Sequence, residues 1–366
     1  MEYKKRISEL IRRVPKTIVD LSVEREKVRI PTQASSNFIT NREQGDWAES
    51  LVQKVINETS KNFLAVKYGK SDDRVAGEEG FNKFFEAFQE ELDSIGKRPD
   101  ILVFNRSDFQ NKWGLDISRK SRDFLDLLVP KAIAGLEIRS SSFLIEKYDR
   151  AMQERISRFT TIALEAKDII LHNYFDLLNH QSRKKYLDIL KGINDETLSA
   201  ADFRRPNWSS SQRLVELTEQ FKILKDAIKE IQKRDFLSIT PKVEDLKVVY
   251  QWIQTYNVPH FYFQVFFDKV YGMSYKDILE LISDSDNEGD KFFLEGDVKN
   301  QNKITVKINS KQGIEIANKI DMPIHRSKMK ELERGRLLFY VTFEGGFAYL
   351  DVNNLLNLLN IESEEF

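Results

Sequence analysis

From residue 41 onward the apolar positions recur at helical spacing: Trp47, Leu51, Val52, Val55 and Ile56 share one face and predict an amphipathic helix over 41–56. Residues 62–69 read as a strand stopped by glycine, and 79–95 as a second helix that buries Phe81, Phe84, Phe85, Phe88 and Leu92 in the core. Residues 98–104 form a second strand and 132–143 contain a third. From 145 to 235 the pattern stays helical, as in Leu214, Leu217, Phe221, Leu224, Ile228 and Ile231, except at 202–213, where proline and serines mark a loop. An extended pattern resumes over 236–240, followed by a helix over 243–256 and a strand over 259–267 apolar enough to be buried on both faces. A helix near 274–282 leads into the acidic run 283–290, which reads as a boundary. Beyond it come strand candidates at 303–308 and 337–343 and a short helix over 352–359.

This order predicts a mixed α/β (α+β) fold, a central mixed sheet flanked by helices. Residues 41–144 and 236–283 make the core, 1–40 an N-terminal helical arm, 145–235 a helical insertion and 284–366 a small C-terminal α+β appendage. A chain of 366 residues with 41% apolar and 31% charged residues can bury a large core. No apolar run approaches a membrane span, and the basic N-terminus lacks the apolar centre of a signal peptide, so the expected location is the cytoplasm. Cysteine is absent, which excludes disulfides and thiolate zinc sites. His172, His180, His260 and His325 are scattered, and His260, at the start of a buried strand, reads as a satisfied core residue. The net charge of −1 does not mark a nucleic-acid binder, but a polyanion gripped in one cleft responds to the local field and not to the sum.

Chemistry concentrates at two places. Lys97-Arg98-Pro99-Asp100 runs into the second strand, and Leu136-Glu137-Ile138-Arg139-Ser140-Ser141 lies on the third. Acids on neighbouring strand ends offer hard oxygen ligands to Mg²⁺ and leave positions for phosphate and water, as hydrolysis of a phosphodiester requires. Glu49 on the first helix is a candidate third acid. The accompanying cation is less plain. Arg139 can clamp phosphate through its fork but is a poor proton acceptor. Lys242, where the chain returns from the insertion, is preferred as the catalytic cation. Plainer readings stand beside each residue: Arg-Pro-Asp is common in turns, Glu137 could form a structural ion pair with Arg139 or Lys97, and Glu49 could be a solvated helix residue. A second acid-containing segment, Asp116-Ile117-Ser118, is assigned to a loop.

For nucleic acid, the loop through Arg204, Arg205, Asn207, Trp208, Gln212 and Arg213 combines side chains that reach base edges and phosphates. A solvated connector accounts for it equally well. Ser140 and Ser141 are further candidate phosphate donors.

Taken together, Gly45-Asp46-Trp47-Ala48-Glu49, Lys97-Arg98-Pro99-Asp100, Glu137-Ile138-Arg139-Ser140-Ser141 and residues 259–268 resemble the PD-(D/E)XK nuclease superfamily, and within it type II restriction endonucleases of the AccI group. The resemblance covers roughly residues 40–283. It implies a restriction-endonuclease-like core and Mg²⁺-dependent cleavage of double-stranded DNA at a short palindromic sequence. It also implies a homodimer and a cognate methyltransferase acting on the same site without physical contact. Asp100 and Glu137 match the motif acids and would bind metal, and Glu49 matches the helix acid. Arg139 departs from the motif lysine. The insertion would supply base contacts and dimer surface. Two alternatives stand: a repair or junction-resolving nuclease of the same superfamily, and a DNA-binding protein that kept the fold without catalysis.

Overall fold

The computed structural model describes residues 2–25, 28–70, 73–297 and 303–361. They fall into two compact units, one of residues 1–145 and 237–366 and the other of residues 146–236.

In the larger unit, α1 (Glu2–Ile11) is followed by α2 (Ser36–Thr59), β1 (Phe63–Lys67), α3 (Phe81–Ile95), β2 (Ile101–Asn105), α4 (Arg122–Leu128) and β3 (Ala134–Ser140). The sequence's spacing of Trp47, Leu51, Val52, Val55 and Ile56 has its outcome in α2, which buries that face against the sheet. Ser35 caps it by accepting from the Phe38 N–H at 3.1 Å. By contrast, the phenylalanines of α3 are only half-buried, and only Ile95 of that helix is fully enclosed. Their rings pack on one another, Phe81 on Phe85 and Phe84 on Phe88, which corrects the expectation that they enter the core.

The smaller unit is helical. It holds most of α5 (Ile145–Asn173), then α6 (Phe175–Leu178), α7 (Lys184–Gly192) and α8 (Gln212–Ile231). Their facing stripes, including Ile170, Leu190, Leu217, Phe221 and Leu224, form a core of its own.

The chain then returns through β4 (Ser238–Ile239), α9 (Val243–Tyr256), β5 (His260–Val265), β6 (Val270–Ser274), α10 (Tyr275–Ile282), β7 (Phe292–Asp297), β8 (Lys303–Asn309), β9 (Ile314–Asp321), β10 (Ile324–Glu331), β11 (Leu337–Glu344), β12 (Phe347–Leu350) and α11 (Val352–Leu359). Among the described residues seven strands form one sheet in the order β1-β2-β3-β5-β6-β9-β12, parallel only between β3 and β5. Such a sheet flanked by helices is a restriction-endonuclease-like α+β fold. In the region read from the sequence as a small C-terminal α+β appendage, β9 and β12 extend this sheet, and Ala317, Ile320, Ala348 and Leu355 join its core. Two smaller sheets, β4-β8-β7 and the ribbon β10-β11, complete the unit. The N-terminal arm is likewise packed: α1 buries Ile7, Leu10 and Ile11, and Arg6 pairs with Glu280 of α10 at 2.8 Å.

One glycine decides where the candidate site forms. Gly96 ends α3 at φ +85, and a Cβ there would sit 2.1 Å from the Val248 carbonyl oxygen of α9. This close approach lets the next residue, Lys97, donate its N–H to the same carbonyl at 3.0 Å. Gly96→Ala is expected to lower stability by about 2 kcal/mol or more, read as a shifted urea midpoint. An unchanged midpoint would show that the contact between this turn and α9 is dispensable.

Candidate active site

β3 and the turn entering β2 bring the two motif acids to one cleft. Asp100, just before β2, accepts the Ile138 N–H of β3 at 2.7 Å through Oδ2. This bond ties it to the residue beside Glu137. The alternation of β3 directs Leu136 and Ile138 to the α2 side of the sheet and Glu137 to the other. A cleft of about 590 Å³ is lined by Lys97, Asp100, Glu137, Arg139 and residues 140–142 from the sheet side. Its α2 wall includes Arg42, Gln44 and Glu49. The structure therefore gathers Asp100, Glu137, Arg139, Glu49, Ser140 and Ser141 in one place. With the Gln44 amide oriented so that its oxygen faces β3, it accepts from the Ser141 and Ser142 N–H groups at 3.2 Å each, joining α2 to the end of that strand.

Glu137 is 1% exposed and sits in a four-ion cluster. Its Oε1 meets Lys97 Nζ at 2.5 Å and Arg139 Nη2 at 2.8 Å. Those two cations share a second carboxylate, Asp245 Oδ2 on α9, each at 2.8 Å. Burial pulls Glu137 upward, but Lys97 and Arg139 outweigh it and hold the carboxyl below its ordinary value. Asp245 follows the same logic: burial raises it, and Lys97 and Arg139 bring it well below the usual carboxylate range. Lys97 is discouraged from ionising by burial and by Arg139, yet Asp245, Glu137 and Asp100 raise its pKa overall. Neither Asp245 nor the full part played by Lys97 was legible in the sequence. Asp245 lies more than a hundred residues from Glu137, in the first turn of a helix, where acids occur for ordinary reasons.

Asp100 is the opposite case. Burial first, then the charges of Glu137 and Glu49, raise its carboxyl well above the ordinary value despite Lys97 and the Ile138 N–H. Glu49 is likewise pushed up to about 7 by burial, helped by Asp46 and Glu137 and opposed by Lys67, which stands 3.7 Å away on β1. Among the described residues, Glu137 Oε2 is buried without a hydrogen-bond partner. Acids that resist ionisation and an orphaned carboxylate oxygen, all on one cleft, suit a divalent cation, whose charge would relieve both conditions. Among the described residues no trio of His, Cys, Asp or Glu is grouped to hold an ion alone. A pair of carboxylates leaves the remaining coordination positions to phosphate and water.

Other candidates have different surroundings. Lys242 is exposed at the start of α9 and does not line the cleft, although Asp245, Arg139 and Lys97 are within electrostatic range. The bridge between Lys242 and Thr305 of β8, and the bond from Val306 N to the Pro241 carbonyl at 2.9 Å, fix this corner to the β8 side. Arg98 is structural: its guanidinium donates to Glu91 at 2.8 Å and lies over the Tyr68 ring. Asp116 closes a local turn by accepting from the N–H and hydroxyl of Ser118, as its assignment to a loop anticipated. His260 does not line the cleft; burial lowers it to about 4, and among the described residues neither ring nitrogen has a hydrogen-bond partner, which corrects its reading as a satisfied core residue.

The residues expected to touch DNA in the helical unit are partly occupied there. The Trp208 ring packs edge-on against Tyr186 and Phe221. Arg213 pairs with Asp176 at 2.8 Å, and Gln212 donates to Glu216 at 3.1 Å. Asn207 is exposed, and Arg204 and Arg205 line a separate cleft of about 460 Å³ with Lys225 and Lys229.

The mixed sheet flanked by helices places the chain in the restriction-endonuclease-like α+β class of folds. Within that class the chain belongs to the AccI restriction endonuclease family, whose model matches residues 1–366, the whole chain. Membership makes it a site-specific DNA nuclease of type II. Comparison with curated proteins and with solved structures gave no match.

Folding holds a proton on Glu49 up to about pH 7, whereas the unfolded chain releases it near 4.5. In metal-free buffer, stability should therefore fall as pH rises through that window. Glu49→Gln should remove part of the fall, measured as urea midpoints across the series. An identical pH dependence in the variant would show that Glu49 ionises freely.

Proposed function

We propose that the protein is a Mg²⁺-dependent type II restriction endonuclease that hydrolyses double-stranded DNA at a short palindromic sequence. In this reading it acts as a homodimer in the cytoplasm, beside a methyltransferase that modifies the same sequence. The observation that carries the reading is the convergence of Asp100, Glu137, Lys97 and Arg139 on one cleft in a chain of this family. Two-fold symmetric sites are matched by two-fold symmetric proteins, which supports the dimer.

Asp100 and Glu137 would hold the metal, with Glu49 behind them on α2. When bound, a divalent ion polarises the scissile phosphate and eases deprotonation of the attacking water. The chain's own groups do the rest. An ammonium carries three N–H donors, and Lys97 spends two on Glu137 and Asp245, leaving one for the water or a phosphate oxygen. Lys97 thus takes the part that the sequence assigned to Lys242. Arg139, permanently charged, offsets the negative charge that builds on phosphorus, and Ser140 and Ser141 stand at the same wall as phosphate donors. Arg204, Arg205 and Asn207 remain candidates for DNA contact from the helical unit. With Trp208, Gln212 and Arg213 engaged in packing and pairing, the more open part of that loop is the part proposed to meet DNA.

Incubated with Mg²⁺, the wild-type chain should cut plasmid DNA into discrete fragments; a smear or an intact plasmid would sink the reading. Asp100→Ala and Glu137→Ala should each abolish cleavage while DNA binding in Ca²⁺ persists. Lys97→Ala should reduce the single-turnover rate by about 10² or more, with Lys242→Ala much closer to wild type. The reverse order would return the role to Lys242.

A further inference from the structure

The ribbon β10-β11 stands outside the seven-stranded sheet and plays no part in the site described above. A strand that builds a core buries at least one face, yet Ile324–Met329 of β10 is exposed on both. Met329 and Phe339, opposite each other across the ladder, are 57% and 62% exposed. The segment 325–336 carries Arg326, Lys328, Lys330, Arg334 and Arg336 against Glu331 and Glu333, a local excess of positive charge in a chain whose sum is −1.

These cations are not equivalent. Lys330 is held by Glu78 at 2.9 Å, and Arg336 donates to Gln33 at 2.9 Å. Arg326 has only a loose pair with Glu344 at 3.9 Å, and Lys328 has no ion pair among the described residues. Positions 326 and 328 are two apart, so both project from one face of the strand, the face of their cross-strand partners Thr342 and Tyr340, and both stay exposed there at the outer strand. Placement adds a second argument. Leu338 and Tyr340 of β11 pack into the cluster of Ala34, Ile39 and Val75, and the Val341 N–H donates to Thr40 Oγ1 at 3.2 Å. Thr40 immediately precedes Asn41, where α2 begins to line the cleft. The ribbon is thus anchored at the cleft's α2 wall. Eight paired residues span ~24 Å at about 3.4 Å each, and a two-stranded ribbon fits a major groove roughly 12 Å wide.

We infer that the β10-β11 ribbon is a duplex-DNA contact surface, with Arg326 and Lys328 meeting phosphate oxygens beside the cleft. The inference rests on the reading of the protein as a double-stranded DNA nuclease. Its test measures affinity of the full chain for a linear plasmid fragment in Ca²⁺ between 50 and 200 mM NaCl, on the order of the range where phosphate contacts dominate. For Arg326→Ala/Lys328→Ala the expected result is about tenfold weaker binding and a log–log salt slope smaller by about two. Its thermal midpoint should stay at the wild-type value. An unchanged affinity and slope would overturn the inference while leaving wild-type cleavage into discrete fragments, assayed in parallel, as the separate check on the nuclease reading. Wild-type chain that binds no duplex overturns both. A dimer that Met329→Ser/Phe339→Ser converts to monomer in sedimentation, with the salt slope indifferent to the two cations, would make the ribbon a subunit interface and also overturn it.

Discussion

Glu137 is a nearly fully enclosed carboxylate in a sheet whose neighbouring positions are apolar, and the arrangement around it follows from that fact. An isolated ion there would be costly enough to neutralise itself or to disrupt the fold. Lys97 and Arg139 prevent this, and because two cations on one acid would leave positive charge in excess, Asp245 balances them. The four ions sum to zero, and they come from three places: the turn after α3, strand β3 and helix α9. Close packing at Gly96 puts the first of these against the third. The cluster is therefore a joint between layers as well as a set of charges at the cleft.

The same joint sets two carboxylates in opposed states a few residues apart in space. Glu137 is kept ionised by its cations, while Asp100, bonded to the backbone beside it, is pressed toward its neutral form by burial and by Glu137 itself. A cleft built this way has charge in place but not compensation. One acid awaits a positive partner, and the other has an oxygen with none. This is the electrostatic condition in which a divalent ion and a phosphate group would enter together. The family to which the chain belongs cuts DNA.

The helical unit follows a different economy. Its stripe of Leu, Ile and Phe builds an independent core, and that core takes Trp208 into its aromatic packing. A loop that reads as rich in DNA-seeking side chains is therefore partly consumed by holding its own helices together. Trp47 on α2 is committed in a comparable way: its ring stacks on Phe267 at 5.1 Å, and its indole N–H donates to the Gly345 carbonyl at 2.9 Å. It fastens the turn between β11 and β12 to the helix that walls the cleft.

Sequence periodicity was enough to place α2, β1, α9, β5 and α11, since each buries a stripe or a face that its own residues specify. The sequence also singled out Glu137, because an acid set into an apolar strand needs a partner wherever the strand ends up, and Asp100 as an acid at the mouth of another apolar strand. It could not show that β9 and β12 complete the central sheet, as their partners are fixed by hydrogen bonds between distant segments and not by local pattern. Which basic residue pairs with the buried acids also lay beyond it. Lys97, Arg139 and Lys242 are all basic residues near motif positions, and what separates them is distance to a carboxylate on another element. Only folding, by packing the Gly96 turn on α9, brought Lys97 Nζ between Glu137 and Asp245 and left Lys242 at the helix's outer end.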